Sequence, residues 1–197
     1  MIDMVFKAIK FASLAHKDQL RKWTGESYII HPIEVADIVS YFSTSKEILA
    51  AAILHDVVED TEVTLEEIEA EFGYYVASLV DEVTKVSVAT DGNRAIRKDI
   101  DRKHYMKASY EGQMIKLADV IANVIGIFKV APDFAKIYLP EQKALVESLT
   151  NCNYFLRKRA LTVINEEEHL LLELRKKQNV LTCCDDYLAE PTIRFIG

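Results

Sequence analysis

The residues best equipped for chemistry gather in AAILHDVVEDTEV, residues 51–63. Ala51, Ala52, Ile53 and Leu54 read as the buried face of a helix, yet His55, Asp56, Glu59 and Asp60 follow directly. Ionised carboxylates buried without partners cost several kcal/mol each, so this stretch needs a compensating cation. His55 and Glu59 stand four apart, as do Asp56 and Asp60, which places both pairs on one broad helical face. Asp119 is a second anomaly, set among Ile115, Leu117, Ala118, Val120, Ile121 and Val124. Lys116 three residues before it and Asn123 four after it mark the same stripe, so Asp119 pairs either with Lys116 or with an ion. His31, directly before Pro32, adds another imidazole.

His31, His55, Asp56 and Asp119 make a mixed nitrogen and oxygen donor set, suited to Mn²⁺, Fe²⁺, Zn²⁺ or Mg²⁺ rather than to a thiolate-loving ion. Such an ion lowers the pKa of water and supplies a nucleophile at neutral pH. Glu59 and Asp60, one turn along, are placed to orient or deprotonate that water. Basic residues at Arg21, Lys22 and across 94–107 are candidates for a local field that attracts an anionic substrate.

These side chains need helices to hold them, and the pattern supplies helices almost throughout. Apolar spacing predicts a helix over 2–19, a connecting loop over 20–30 around Thr24-Gly25-Glu26-Ser27, and a short helix opened by Pro32 at its first position. Ser43-Thr44-Ser45 caps a helix over 45–58 that carries the opening stretch. Thr64 with Glu67 is a capping box for LEEIEAEF, Gly73 punctuates, and YYVASLVDEVTKVS follows as a helix. Residues 94–109 read as a partly solvated helix or a mobile segment, and EGQMIKLADVIANVIGIFKV, apolar almost all round, as a central buried helix. A connection over 131–139 is expected, then a long helix over 141–177 with a break near Asn151–Asn153, then irregular or peripheral structure over the last twenty residues. The whole is all-α, a single domain over 1–197, its motif-bearing core at about 5–130 and a helical extension at about 140–197.

The scarcity of Gly and Pro fits this helical reading. No apolar run reaches the ~20 residues that span a bilayer, and the N-terminus lacks a signal peptide's apolar core, so a cytoplasmic protein without membrane contact is expected. Net charge of −7 disfavours nucleic-acid binding but leaves room for a small anion at a locally basic site. Cys152, Cys183 and Cys184 have neither disulfide-framework nor zinc-ligand spacing and are read as reduced thiols.

The order HP (31–32), LHDVVEDT (54–61) and IKLADVIAN (115–123) strongly resembles the HD-domain metal-dependent phosphohydrolases. Within them it is similar to the hydrolase domain of the RelA/SpoT homologues and the stand-alone small alarmone hydrolases. AHKDQLRKWTGESYIIHP (15–32) and FGYYVASLVDEVTK (72–85) share in the resemblance. It implies an HD-domain helical bundle and a Mn²⁺-type ion held by His31, His55, Asp56 and Asp119. It further implies Glu59 and Asp60 as the catalytic acids, and Arg21, Lys22 and Asn123 as contacts to a small-molecule nucleotide. The implied reaction is hydrolysis of the 3′-pyrophosphate of (p)ppGpp to GDP or GTP and pyrophosphate. Val120, Ala122, Ile125 and Gly126 stand where the family often has polar or basic side chains, which implies an altered nucleoside side of the pocket. That departure motivates an alternative, an HD phosphohydrolase acting on another nucleotide phosphate. A rival from a different class is a non-catalytic nucleotide-binding regulator, against which the intact Glu59 and Asp60 argue.

Overall fold

The computed structural model describes residues 3–188, with side chains described through Lys176. Cys183 and Cys184 therefore lie outside the described side chains, as does the chain beyond 188; Cys152 is a free thiol.

Capping residues define most of the boundaries. Asp3 accepts from the Val5 N–H at 2.9 Å and starts α1 (Met4–Ala15). The loop that follows is closed by an isolated bridge between Leu20 and Ser27, and α2 (Ile30–Ser40) holds His31 and Pro32 in its first turn. Ser45 caps α3 (Lys46–Leu54), and a separate short helix, α4 (Val57–Asp60), comes next. The expected capping box is present: Thr64 and Glu67 bond each other's backbone N–H and start α5 (Leu65–Phe72). Gly73, at φ 88°, makes a joint that a side chain would strain and leads into α6 (Tyr74–Val83). After a short 3₁₀ turn, Asn93 caps α7 (Arg94–Tyr105), and Ser109 caps α8 (Tyr110–Val124). Gly126 in the left-handed region separates α8 from the short α9 (Ile127–Val130); α10 (Pro132–Ser148) and α11 (Tyr154–Leu188) complete the chain. Among the described residues no strand forms, and no helix is long and apolar enough to cross a membrane.

Four expectations are corrected. The buried helix expected over 111–130 is broken at Gly126, where the backbone turns left-handed. The helix predicted over 45–58 is two helices with a break at His55–Asp56. The connection predicted over 131–139 is helical, because Pro132 opens α10 at its first position and Pro140 is accommodated inside it. The final stretch is helical as far as Leu188 rather than irregular. The break between α10 and α11 falls where Asn153 caps the new helix by accepting from the Leu156 N–H at 3.1 Å.

α8 lies at the centre, packed against α2, α6 and α11, while α3 packs on α1, α2 and α6. Ile53, Leu54, Ile115 and Leu117 are fully buried, each contributing about 1.5–3 kcal/mol from the area removed from water. His31 at the start of α2, His55 at the end of α3 and Asp119 within α8 are thus anchored in the buried core.

Candidate metal centre and cleft

The break after α3 explains how two consecutive residues reach one point. In a continuous helix, neighbours project about 100° apart, whereas here Asp56 leaves helical geometry at φ −99°, ψ −6°. His55 and Asp56 then face the same spot, with Nε2 and Oδ2 3.0 Å apart. The His55 Nδ1–H donates to the Ala52 carbonyl at 2.8 Å, which leaves the Nε2 lone pair facing inward. His31, 1% exposed, brings its Nε2 to 3.4 Å from Asp56 Oδ2 and 3.2 Å from Asp119 Oδ1. Asp119 Oδ1 is also 3.6 Å from His55 Nε2.

The two imidazole Nε2 atoms are buried and form no hydrogen bond despite these neighbours. Each Nε2 faces carboxylate oxygens, so it must carry a proton or share a cation with them. Donor separations of 3.0 to 3.6 Å match adjacent ligands around one ion, since metal–ligand bonds of about 2.1 Å at right angles put donors about 3 Å apart. His31, His55 and Asp56 have ligand atoms that all lie within 4.8 Å of one another, close enough to share one ion. The residues therefore fit a divalent ion.

The local charges are strongly coupled. Burial alone would push both histidines down, but Asp56 and Asp119 outweigh it and hold both above the ordinary histidine value. Burial would likewise raise the two acids, yet His55 for Asp56, and Lys116 with the histidines for Asp119, keep both well below the usual carboxylate range. Each acid also has partners beyond the histidines. Asp56 Oδ2 accepts from the Tyr28 hydroxyl at 2.6 Å, while Asp119 accepts from Asn123 at 2.5 Å and pairs with Lys116 Nζ at 2.9 Å. Asp119 thus has both partners between which the sequence left a choice: Lys116 on Oδ2, and the ligand cluster on Oδ1.

Glu59 and Asp60, on α4, line a cleft of about 580 Å³ beside these donors. Glu59 accepts from the backbone N–H and the ammonium of Lys85, at 3.1 and 2.8 Å; Asp60 accepts from Gln19 at 3.0 Å. Asn123 also lines the cleft. Arg21 and Lys22 are not among its lining residues: Arg21 pairs with Glu34 at 2.7 Å, and the Lys22 ammonium sits 4.6 Å from the Trp23 ring centre.

Other cations take the cleft wall. Lys98 and Arg102, four residues apart on one face of α7, stand there with Lys85 and Lys116. Burial, then the charges of Lys116 and Arg94, hold Lys98 below the ordinary lysine value. The spacing of Lys98 and Arg102 was visible in the sequence, but a solvated helix and a cleft wall share that appearance. Tyr28 and Lys85 carried no sequence signal of their own. The departures on α8 do not reach the cleft: Val120 and Ala122 are buried in the core and Ile125 is exposed past the helix end, because only Lys116, Asp119 and Asn123 lie on the cleft stripe.

A family model described as HD domain matches residues 8–132. Among curated proteins, the guanosine-3′,5′-bis(diphosphate) 3′-pyrophosphohydrolase MESH1 of Xenopus tropicalis is 37% identical over 133 residues, covering 66% of this chain and 73% of that protein. The Aquifex aeolicus guanosine-3′,5′-bis(diphosphate) 3′-pyrophosphohydrolase is 37% identical over 148 residues, 70% of this chain but 21% of its own length. The chain thus spans about a fifth of that longer relative. A solved structure described as a metazoan ortholog of SpoT that hydrolyses ppGpp superposes with a TM-score of 0.75 at 30% identity, covering 85% of this chain and 97% of that one.

Proposed function

We propose, on the premise that this chain belongs to the HD-domain family and stands among its MESH1-type members, that it hydrolyses the 3′-pyrophosphate of (p)ppGpp to GDP or GTP and pyrophosphate. The observation that carries the reading is the convergence of His31, His55, Asp56 and Asp119 with two buried Nε2 atoms that lack partners. We assign these four as ligands to one divalent ion, Mn²⁺ in our reading. When bound, that ion supplies Lewis acidity toward water and a phosphoryl oxygen.

The chain's own residues do the rest. Glu59 and Asp60 orient the water and take its proton; Lys85, paired with Glu59, holds that carboxylate at the cleft edge. The water oxygen bonds to the phosphorus next to the ribose as the bond from that phosphorus to the 3′-oxygen breaks; the 3′-oxygen takes the proton that Glu59 and Asp60 accepted from water, and pyrophosphate departs carrying the water oxygen. Lys98, Arg102 and Lys116 face the cleft where a substrate with several negative charges would lie, and Asn123 offers an amide on the same wall. Arg21 and Lys22 remain proposed nucleotide contacts, reaching the cleft only by exchanging Glu34 and the Trp23 face for substrate.

The test is release of pyrophosphate from ppGpp by the purified protein with Mn²⁺, lost in Asp56→Ala. An untouched ppGpp alongside cleavage of another nucleotide would defeat the substrate assignment, and binding without turnover across a nucleotide panel would favour a regulator.

A further inference from the structure

The loop between α1 and α2 contains a polar chain that none of the roles above uses. His16 is 1% exposed at the end of α1, its ring tilted over Tyr28 with centroids 4.8 Å apart. Its Nδ1 lies 2.8 Å from Gln19 Oε1, and the Gln19 amide nitrogen lies 3.0 Å from Asp60 Oδ2. The direction of this chain is fixed by chemistry. A carboxylate only accepts, so Gln19 presents its NH₂ to Asp60 and its carbonyl to His16, and His16 must carry its proton on Nδ1. The backbone couples this chain to the metal side, because the Tyr28 N–H donates to the Gln19 carbonyl at 3.0 Å while the Tyr28 hydroxyl holds Asp56 at 2.6 Å. One loop therefore reaches both acids, Asp56 through Tyr28 and Asp60 through Gln19.

We propose that Gln19, oriented by His16, is a positioning residue for Asp60: it occupies Oδ2 and turns Oδ1 toward the attacking water. The inference rests on the reading above that Asp60 handles water. Among the described residues the His16 side chain hydrogen-bonds to Gln19 alone and its Nε2 has no partner, which is costly as mere packing. Its Nδ1–H is what stops the Gln19 side chain from rotating and offering its carbonyl to Asp60, where two acceptors would repel.

The experiment is a mutant cycle on the full chain with Mn²⁺, reading pyrophosphate release, metal content and Tm. Gln19→Leu is expected to lower kcat roughly 10- to 100-fold, with KM and metal content within about twofold of wild type. Gln19→Glu, of equal length, is expected to lose at least as much, because a carboxylate there repels Asp60. His16→Phe keeps the ring over Tyr28 but not the N–H, and a smaller loss in kcat alone is expected. In an Asp60→Asn background, Gln19→Leu is expected to change the residual kcat by less than about twofold. Equal losses in both backgrounds, or a loss that appears in KM, metal content or Tm instead of kcat, would overturn the proposal. If ppGpp is untouched and another nucleotide is cleaved, the substrate reading fails, and the same cycle on that nucleotide decides this one. If no nucleotide is turned over, both readings fall.

Discussion

On one side of the cleft, His31 and His55 have side chains 2% and 1% exposed, and the acids beside them are held by Tyr28, Lys116 and Asn123. On the other side, Lys85 and Arg102 are 47% and 37% exposed, each paired with a neighbouring acid that water also reaches. The first side is built as core and the second as surface. Changes to the buried side should therefore alter metal binding and turnover, and changes to the cationic wall should alter substrate affinity while leaving the metal in place.

The largest expected effect is at the buried side. Asp56→Ala should abolish metal binding and lower turnover at least about 1000-fold, the few kcal/mol a catalytic ion contributes; metal analysis together with kinetics checks both. Next in size, Lys116→Met leaves Asp119 buried without its cation. It should cost about 3 kcal/mol in urea unfolding of the metal-free protein, and less once Mn²⁺ is added. Tyr28→Phe removes the bond to Asp56 and should raise the metal Kd about tenfold. The protons on this side give a further test. His31 and His55 are held above the ordinary histidine value in the metal-free cluster, so they keep their protons to higher pH than free histidines and an ion must displace those protons. Metal uptake should release protons and tighten as pH rises, measurable by calorimetry in buffers of different ionisation enthalpy.

The wall should give the smallest effect. Lys98→Ala should raise KM roughly fivefold, the size of a solvent-screened ion pair, with kcat and metal content unchanged. Because the Lys98 ammonium is held below the ordinary lysine value, it loses charge earlier than other lysines as pH rises, and affinity should fall on the alkaline limb. Lys98→Arg should move that limb upward. Loss of metal in Lys98→Ala would mean the two sides are not separable as described.

The same contrast explains what the sequence could and could not reveal. His31, His55, Asp56 and Asp119 were legible because acids and imidazoles among apolar residues are costly, and few arrangements compensate them. The helices were legible through Thr64, Glu67 and Ser45, whose caps are local chemistry. The break at His55–Asp56 was not, because the periodicity runs unbroken through it and only convergence on a common point requires it. The wall of α7 was equally hidden, since Lys98 and Arg102 differ from solvated residues only by what packs opposite them. Val120 and Ala122 looked like changes to a binding surface, and helical phase alone turned them into the core.

The four donors come from three stretches of chain far apart in order: the start of α2, the joint between α3 and α4, and the middle of α8. An ion shared among them, as proposed, would act as a removable fastener. It closes long loops that an unfolded chain would have to gather afresh, and it stabilises only the folded form, by mass action. The protein's resistance to proteolysis and its lifetime would then follow the supply of the metal as well as its own packing. Scarcity of the ion would remove the enzyme in two ways at once, by silencing it and by loosening it.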